Sequence, residues 1–255
     1  MKSILSLGIL LTSLILLVTA CGPATQRSDN GELPINTLSQ EEVAEGFYLL
    51  FDGESFDGWR GYNKANFPEA GWVIEDGAMK VEGKGTGEAG GRGGDIIYDK
   101  KFRDFHLKLE WKVSRGGNSG VFYLGQEIPG EPVWKSAPEL QILDNENHLD
   151  GQLGVDGNRK AGSLYDLIPA KPQNANPYGE WNEVEVMVYR GTVVHKMNGE
   201  VVLEYHLGTS DWDRMIENSK FAPFKEWFGV AREGYIALQD HGDDVWFRNI
   251  RIKEF

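Results

Sequence analysis

After Gly46, apolar and polar residues alternate with a period of two along most of the chain, which is the mark of half-buried strands. The cleanest case is Phe105 to Val113 (FHLKLEWKV), where Leu107, Leu109, Trp111 and Val113 face one way and His106, Lys108, Glu110 and Lys112 the other. Ser119, Val121 and Tyr123 share a face in the next run. Trp72-Val73-Ile74 and Ala78 to Val81 flank Asp76-Gly77 and predict a hairpin, because Asp-Gly accepts the positive φ of a tight turn. Trp181 to Arg190, Thr192 to Met197 and Glu200 to Tyr205 predict three strands joined at Arg190-Gly191 and Asn198-Gly199. Gly234 to Gln239 and Val245 to Ile252 close the chain as two more. Ser210 to Ser219 is the one helical pattern, with Ser210 and Asp213 spaced as a capping box. About ten to twelve short strands with one helix predict an all-β sandwich or barrel.

Four stretches break the period. Met1 to Ala20 pairs Lys2 with the apolar run ILSLGILLTSLILLV, too short for a comfortable membrane span, so residues 1–20 read as a signal peptide. Val18-Thr19-Ala20-Cys21 resembles a bacterial lipobox, with Cys21 as the acylated residue. Residues 21–45 are polar and aperiodic and read as a tether, in which SQEEVAE has the makings of one helical turn. Residues 46–255 then form one domain. Gly83 to Gly94 is a glycine-rich loop without the order of a phosphate-binding motif. Asp144 to Gly179 is a long irregular segment, and Ala161 to Ile168 within it is apolar enough to dock on the domain; segments of this kind are usually functional or disordered.

The charge balance narrows the partners. Lys and Arg number 26 against 39 Asp and Glu, a formal net charge of −13, so nucleic acid and anionic membrane surfaces would repel the chain. Any membrane association is left to the lipid on Cys21, which places the protein in the cell envelope. Cys21 is the only cysteine, so the fold must rest on its core. Eight Trp and nine Tyr in an acidic chain suit a neutral, sugar-like ligand as well as an ordinary β core.

Ala137 to His148 (APELQILDNENH) carries the densest chemistry. On a strand Glu139 and Gln141 share one face, about 6.6 Å apart, while Leu140 and Ile142 share the other. Such a polar face is either a solvated surface or the floor of a site.

LFDGESFDGW, GNSGVFY, PELQILDN, AGSLYDLI, GEWNEVEV, MNGEVVLEY and LQDHGDDVWFRNIRI, in that order, resemble the 3-keto-disaccharide hydrolase domain family over Gly46 to Phe255. The resemblance implies a concanavalin A-like jelly-roll sandwich of two antiparallel sheets, often in a lipoprotein. It also implies action on sugars carrying a C3 ketone made by a partner oxidoreductase. A ketone at C3 acidifies the C2 proton, so a base can remove it, the C1 substituent can leave by β-elimination, and hydration of the enone completes a net hydrolysis.

Glu139, Asp144 and His148 are the candidate catalytic residues and also the candidate ligands of one divalent metal ion. Glu139 or a neighbouring histidine is the expected C2 base. Asn118, Gln141, Tyr165, Asp166, Gln239 and His241 are the candidate sugar contacts, and Trp59, Trp134 and Trp181 the candidate stacking platforms. His195 reads as a packed core histidine, His106 and His206 as structural or exposed. Two other classes stay open, a non-catalytic carbohydrate-binding module and a two-carboxylate glycosidase on unoxidised sugars. A retaining glycosidase needs its carboxyl groups about 5–5.5 Å apart, whereas Glu139 and Asp144 would lie about 16 Å apart on a straight strand.

Overall fold

In the computed structural model, which describes residues 33–83 and 92–255, every odd position of Phe105 to Val113 is buried and every even one half-buried. The same rule builds two antiparallel sheets. The strands are β1 (Tyr48–Leu49), β2 (Trp59–Gly61), β3 (Trp72–Glu75), β4 (Ala78–Val81), β5 (Ile96–Phe102), β6 (Phe105–Val113) and β7 (Asn118–Gly125). They continue with β8 (Glu139–Leu143), β9 (Asn182–Tyr189), β10 (Thr192–Met197), β11 (Glu200–His206), β12 (Gly234–Leu238) and β13 (Val245–Glu254). One sheet runs β11-β10-β9-β6-β13-β4-β3 with β1 on β13; the other runs β2-β5-β12-β7-β8. This is the expected jelly-roll sandwich, and its three expected tight turns all form. Asp76-Gly77, Arg190-Gly191 and Asn198-Gly199 each hold two successive positive φ angles, the requirement of a type I′ hairpin.

Between the sheets lie Phe102, Phe105, Trp111, Val121, Leu140, Ile142 and Phe247, all essentially inaccessible. One polar chain crosses this core. His195 on β10 can only donate Nδ1–H to the Gly162 carbonyl (3.1 Å), so its Nε2 accepts from the Tyr123 hydroxyl (2.8 Å), which accepts from Tyr205 (2.7 Å). Burial pushes the His195 imidazole down to about 4, which keeps it neutral and structural.

Two boundaries differ from the sequence reading. The helix α2 (Ser210–Glu217) is capped by Thr209, whose hydroxyl accepts from Trp212 N, and Ser210 is its first residue rather than its cap. The complete capping box belongs instead to α1 (Gln40–Glu45), between Ser39 and Glu42. The folded unit begins at Ile35, inside the expected tether. Asn36 exchanges hydrogen bonds with Asn249, and Glu42 pairs with Arg251. A segment that docks through polar bonds shows no apolar period to read. The expected signal peptide and the expected acylation site, Cys21, lie outside the described residues, as does most of the glycine-rich loop.

Candidate active site

The site is built on the outer face of the five-stranded sheet, at its β8 edge. Pairing sets Gly120 of β7 opposite Gln141 and Phe122 opposite Glu139, and Gln239, just past β12, donates its N–H to the Gly120 carbonyl. Alternation turns Val121, Tyr123, Leu140 and Ile142 into the core, leaving Asn118, Gly120, Glu139 and Gln141 on the outer face. A small apolar cluster of Tyr62, Ile97, Phe122, Val133, Ala137 and Ala237 floors one end. Gly120 makes the hollow, for a Cβ there would stand 2.1 Å from Glu139 Oε1. Gly120→Ala is therefore expected to displace the carboxylate and lower kcat/KM at least tenfold with little change in Tm, read by steady-state kinetics and thermal melts.

The long irregular segment forms the wall. Its backbone zips onto β8 through Gln141 N to Ser163 O, Gly162 N to Gln141 O and Tyr165 N to Glu139 O, all 2.8–3.0 Å. This brings Tyr165 over the hollow, its hydroxyl donating to Asp150 at 2.9 Å. Lys220, from the turn after α2, is exposed as a residue, yet its ammonium lies 4.0 Å from the centre of the Tyr165 ring. Trp134, braced edge-on by Phe224 at 5.3 Å, completes that side. The resulting cavity of about 220 Å³ is lined by Asn118, Trp134, Glu139, Gln141, Asp150, Tyr165, Lys220, Gln239 and His241.

Burial pushes the Glu139 carboxyl well above the usual carboxylate range; the Lys220 cation pulls it back, and Asp95 and Asp150 push it further up. Lys220 is lowered by the same desolvation, against the pull of Glu139 and Asp166. Burial also raises Tyr165, with Asp150 adding to the effect, and lowers His241, against the pull of Asp243. Five polar atoms on four lining side chains have no hydrogen-bond partner among the described residues: Asn118 Oδ1, both ends of the Gln141 amide, Gln239 Oε1 and His241 Nδ1. Orphans gathered around one hollow mark a surface prepared for a polar, hydroxyl-rich guest.

Of the expected site residues, the structure gathers Glu139, Gln141, Asn118, Tyr165, Gln239 and His241 around the cavity, with Trp134 as the aromatic wall. Asp144 is not among them. It has the parity of Leu140 and Ile142, and its carboxylate accepts from Gly116 N (2.7 Å) and Asn147 Nδ2 (2.8 Å), holding a turn. The expected metal trio of Glu139, Asp144 and His148 is thus replaced by another group. His148, His241 and Asp243 have ligand atoms within 4.8 Å of one another, close enough to hold one metal ion. The fit is poor in one respect. His148 Nδ1 already accepts the Asp150 N–H at 3.1 Å, which leaves the ring's proton on Nε2, so ligation through either nitrogen would cost this bond. Asp166 braces the wall, accepting from Arg159 Nε and from the Lys220 backbone. Trp59 is core, and Trp181 lies under Arg248 at 3.9 Å.

Sequence reasoning missed Gly120, Asp150 and Lys220. The first differs from other glycines only in what faces it. The other two come from irregular chain, where no period tells which side chain turns inward.

A concave, amide-lined hollow on a jelly-roll sheet, with a raised carboxyl and a cation among its lining residues, is the binding site of a β-sandwich protein for a polar, hydroxyl-rich guest. Residues 46–253 match the model of the 3-keto-alpha-glucoside-1,2-lyase-like domain, and the chain belongs to that family. It is 51% identical over 245 residues to a 3-keto-disaccharide hydrolase of Bacteroides thetaiotaomicron, covering 88% of this chain and 81% of the relative. A crystal structure from Parabacteroides distasonis, assigned as a glycosyl hydrolase, superposes with a TM-score of 0.77 at 33% identity, covering 87% of this chain and 100% of that one. A second structure from the same organism gives 0.61 at 24% identity, over 82% and 99% of the two chains.

Proposed function

We propose that the protein cleaves 3-keto-glycosides, 3-keto-disaccharides among them, by elimination and rehydration. Glu139 takes the C2 proton and the C2–H electrons pass to the C3 oxygen as an enolate. When the enolate collapses the C3 carbonyl reforms, C1=C2 forms and the C1–O bond breaks. The departing oxygen takes its proton from a water at the His241 end of the cavity, and the hydroxide left there carries the oxygen that adds to C1 in the next step. Water then adds its oxygen to C1 and a proton returns to C2, so one water is consumed for one bond cleaved. The carrying observation is the buried Glu139, raised by desolvation against the charge of Lys220, in a hollow of unpartnered amides, since a base works best near the operating pH. The name of the Bacteroides relative supports the same substrate class. An oxidoreductase that makes the ketone must supply the substrate.

The test is to incubate the protein with matched glucosides, oxidised and unoxidised at C3, with and without EDTA, and to identify products by mass spectrometry. Free aglycone is expected from the keto-glucoside alone, at a rate within about twofold with or without chelator, given the engaged His148 nitrogen. Cleavage of the unoxidised sugar would point to a glycosidase, and tight binding without cleavage to a carbohydrate-binding module. Loss of rate on chelation with recovery on adding Mn²⁺ or Zn²⁺ would show that His148 gives up its bond to Asp150 for a metal.

A further inference from the structure

We propose that Gln141 is the side chain that tells a ketone from a hydroxyl at C3, and that its amide N–H holds the C3 oxygen as the C2 proton leaves. This deepens the reading of the reaction above and rests on it.

Gln141 is 1% exposed, and neither Nε2 nor Oε1 has a partner among the described residues. A glutamine so placed loses its water on folding and gains nothing from the protein, which points to a partner that arrives with the substrate. Its backbone N–H and C=O are both engaged by the wall segment, at Ser163 and Gly162, so the amide is presented from a rigid base. Gly120 stands opposite it across the strand pair and puts no side chain in the way.

Glu139 is two residues earlier on the same face, about 6.6 Å along the strand. C2 and C3 are bonded neighbours, each a hydrogen-bond length from its protein partner, so adjacent same-face positions suit a base at one and a donor at the other. Lys220 is the cation that bears on the Glu139 carboxylate, which leaves the C3 oxygen to a neutral donor.

A ketone oxygen only accepts hydrogen bonds, whereas a hydroxyl both accepts and donates. The Gln141 N–H serves the ketone and binds more tightly as negative charge grows on the oxygen, while Gln141 Oε1, equally unpartnered, takes the hydrogen of a neighbouring hydroxyl and so is not open to one at C3. A carboxylate at this position would repel that charge and accept a hydroxyl hydrogen instead. The free acceptors Asn118 Oδ1 and Gln239 Oε1 remain for the other sugar hydroxyls.

The experiment compares the full chain with Gln141→Glu and Gln141→Met. Its readouts are kcat/KM on a 3-keto-glucoside and calorimetric binding of 3-keto-glucose against glucose, with thermal melts to confirm folding. Both variants are expected to lose about a hundredfold in kcat/KM, as for removal of one preorganised donor to a developing oxyanion. The preference for keto-sugar is expected to collapse in the Met variant and to invert in the Glu variant, which a merely structural role would not produce. Gln141→Met within threefold of wild-type kcat/KM, or an unchanged binding preference in both variants, would overturn the assignment while leaving the reaction standing. Failure of the wild-type protein to cleave or prefer keto-sugars would overturn both.

Discussion

Glu139→Gln is expected to reduce turnover of a 3-keto-glucoside by about 10³-fold or more, near the upper end of what a positioned general base contributes. The amide matches the carboxyl in shape and still fits above Gly120, so the loss would be chemical. Stability should move the other way. The carboxyl's folded pKa is raised by burial, so its contribution to stability is intact below the ordinary carboxylate range and is lost as pH rises through the folded pKa. Thermal melts over a pH series should show the wild-type Tm falling across that window, with the variant flatter and higher at its alkaline end. Full activity in the variant would reject Glu139 as the base.

Lys220→Met should produce the next largest loss, about 10²- to 10³-fold at pH 7, in a form that reveals its cause. The ammonium is the one influence that lowers Glu139 against burial, Asp95 and Asp150. The base must be ionised to act, so kcat/KM falls as pH drops through its pKa. Removing the cation raises that pKa and moves the acid limb of the profile to higher pH, with partial recovery of rate in alkaline buffer. A profile lowered uniformly with no displacement would show that Lys220 only holds Tyr165 and Trp134 in place.

The fold was legible because alternation is a local signal. The parity of Glu139 and Gln141, the tight turns at Asp76, Arg190 and Asn198, and the apolar faces of β6 and β9 could all be read from a few neighbouring residues. The floor of the site followed from the same parity, which also argues against Asp144. The wall did not. Asp150, Tyr165 and Lys220 are brought together by backbone bonds between an irregular segment and a strand edge and by the Arg159 bridge to Asp150 and Asp166. None of these leaves a periodic trace. The resemblance to a family pointed to Tyr165 but had nothing to say of Lys220.

The position of β8 at the border of its sheet has one more consequence. A bare border strand offers its amides to any passing chain, and here the residues from Gly162 to Tyr165 occupy that border. The protection against self-association and the placement of Tyr165 are thus one set of bonds. That segment cannot swing aside to admit a sugar without unpairing the strand that carries Glu139. Turnover that leaves these bonds in place keeps the strand under Glu139 rigid through every cycle.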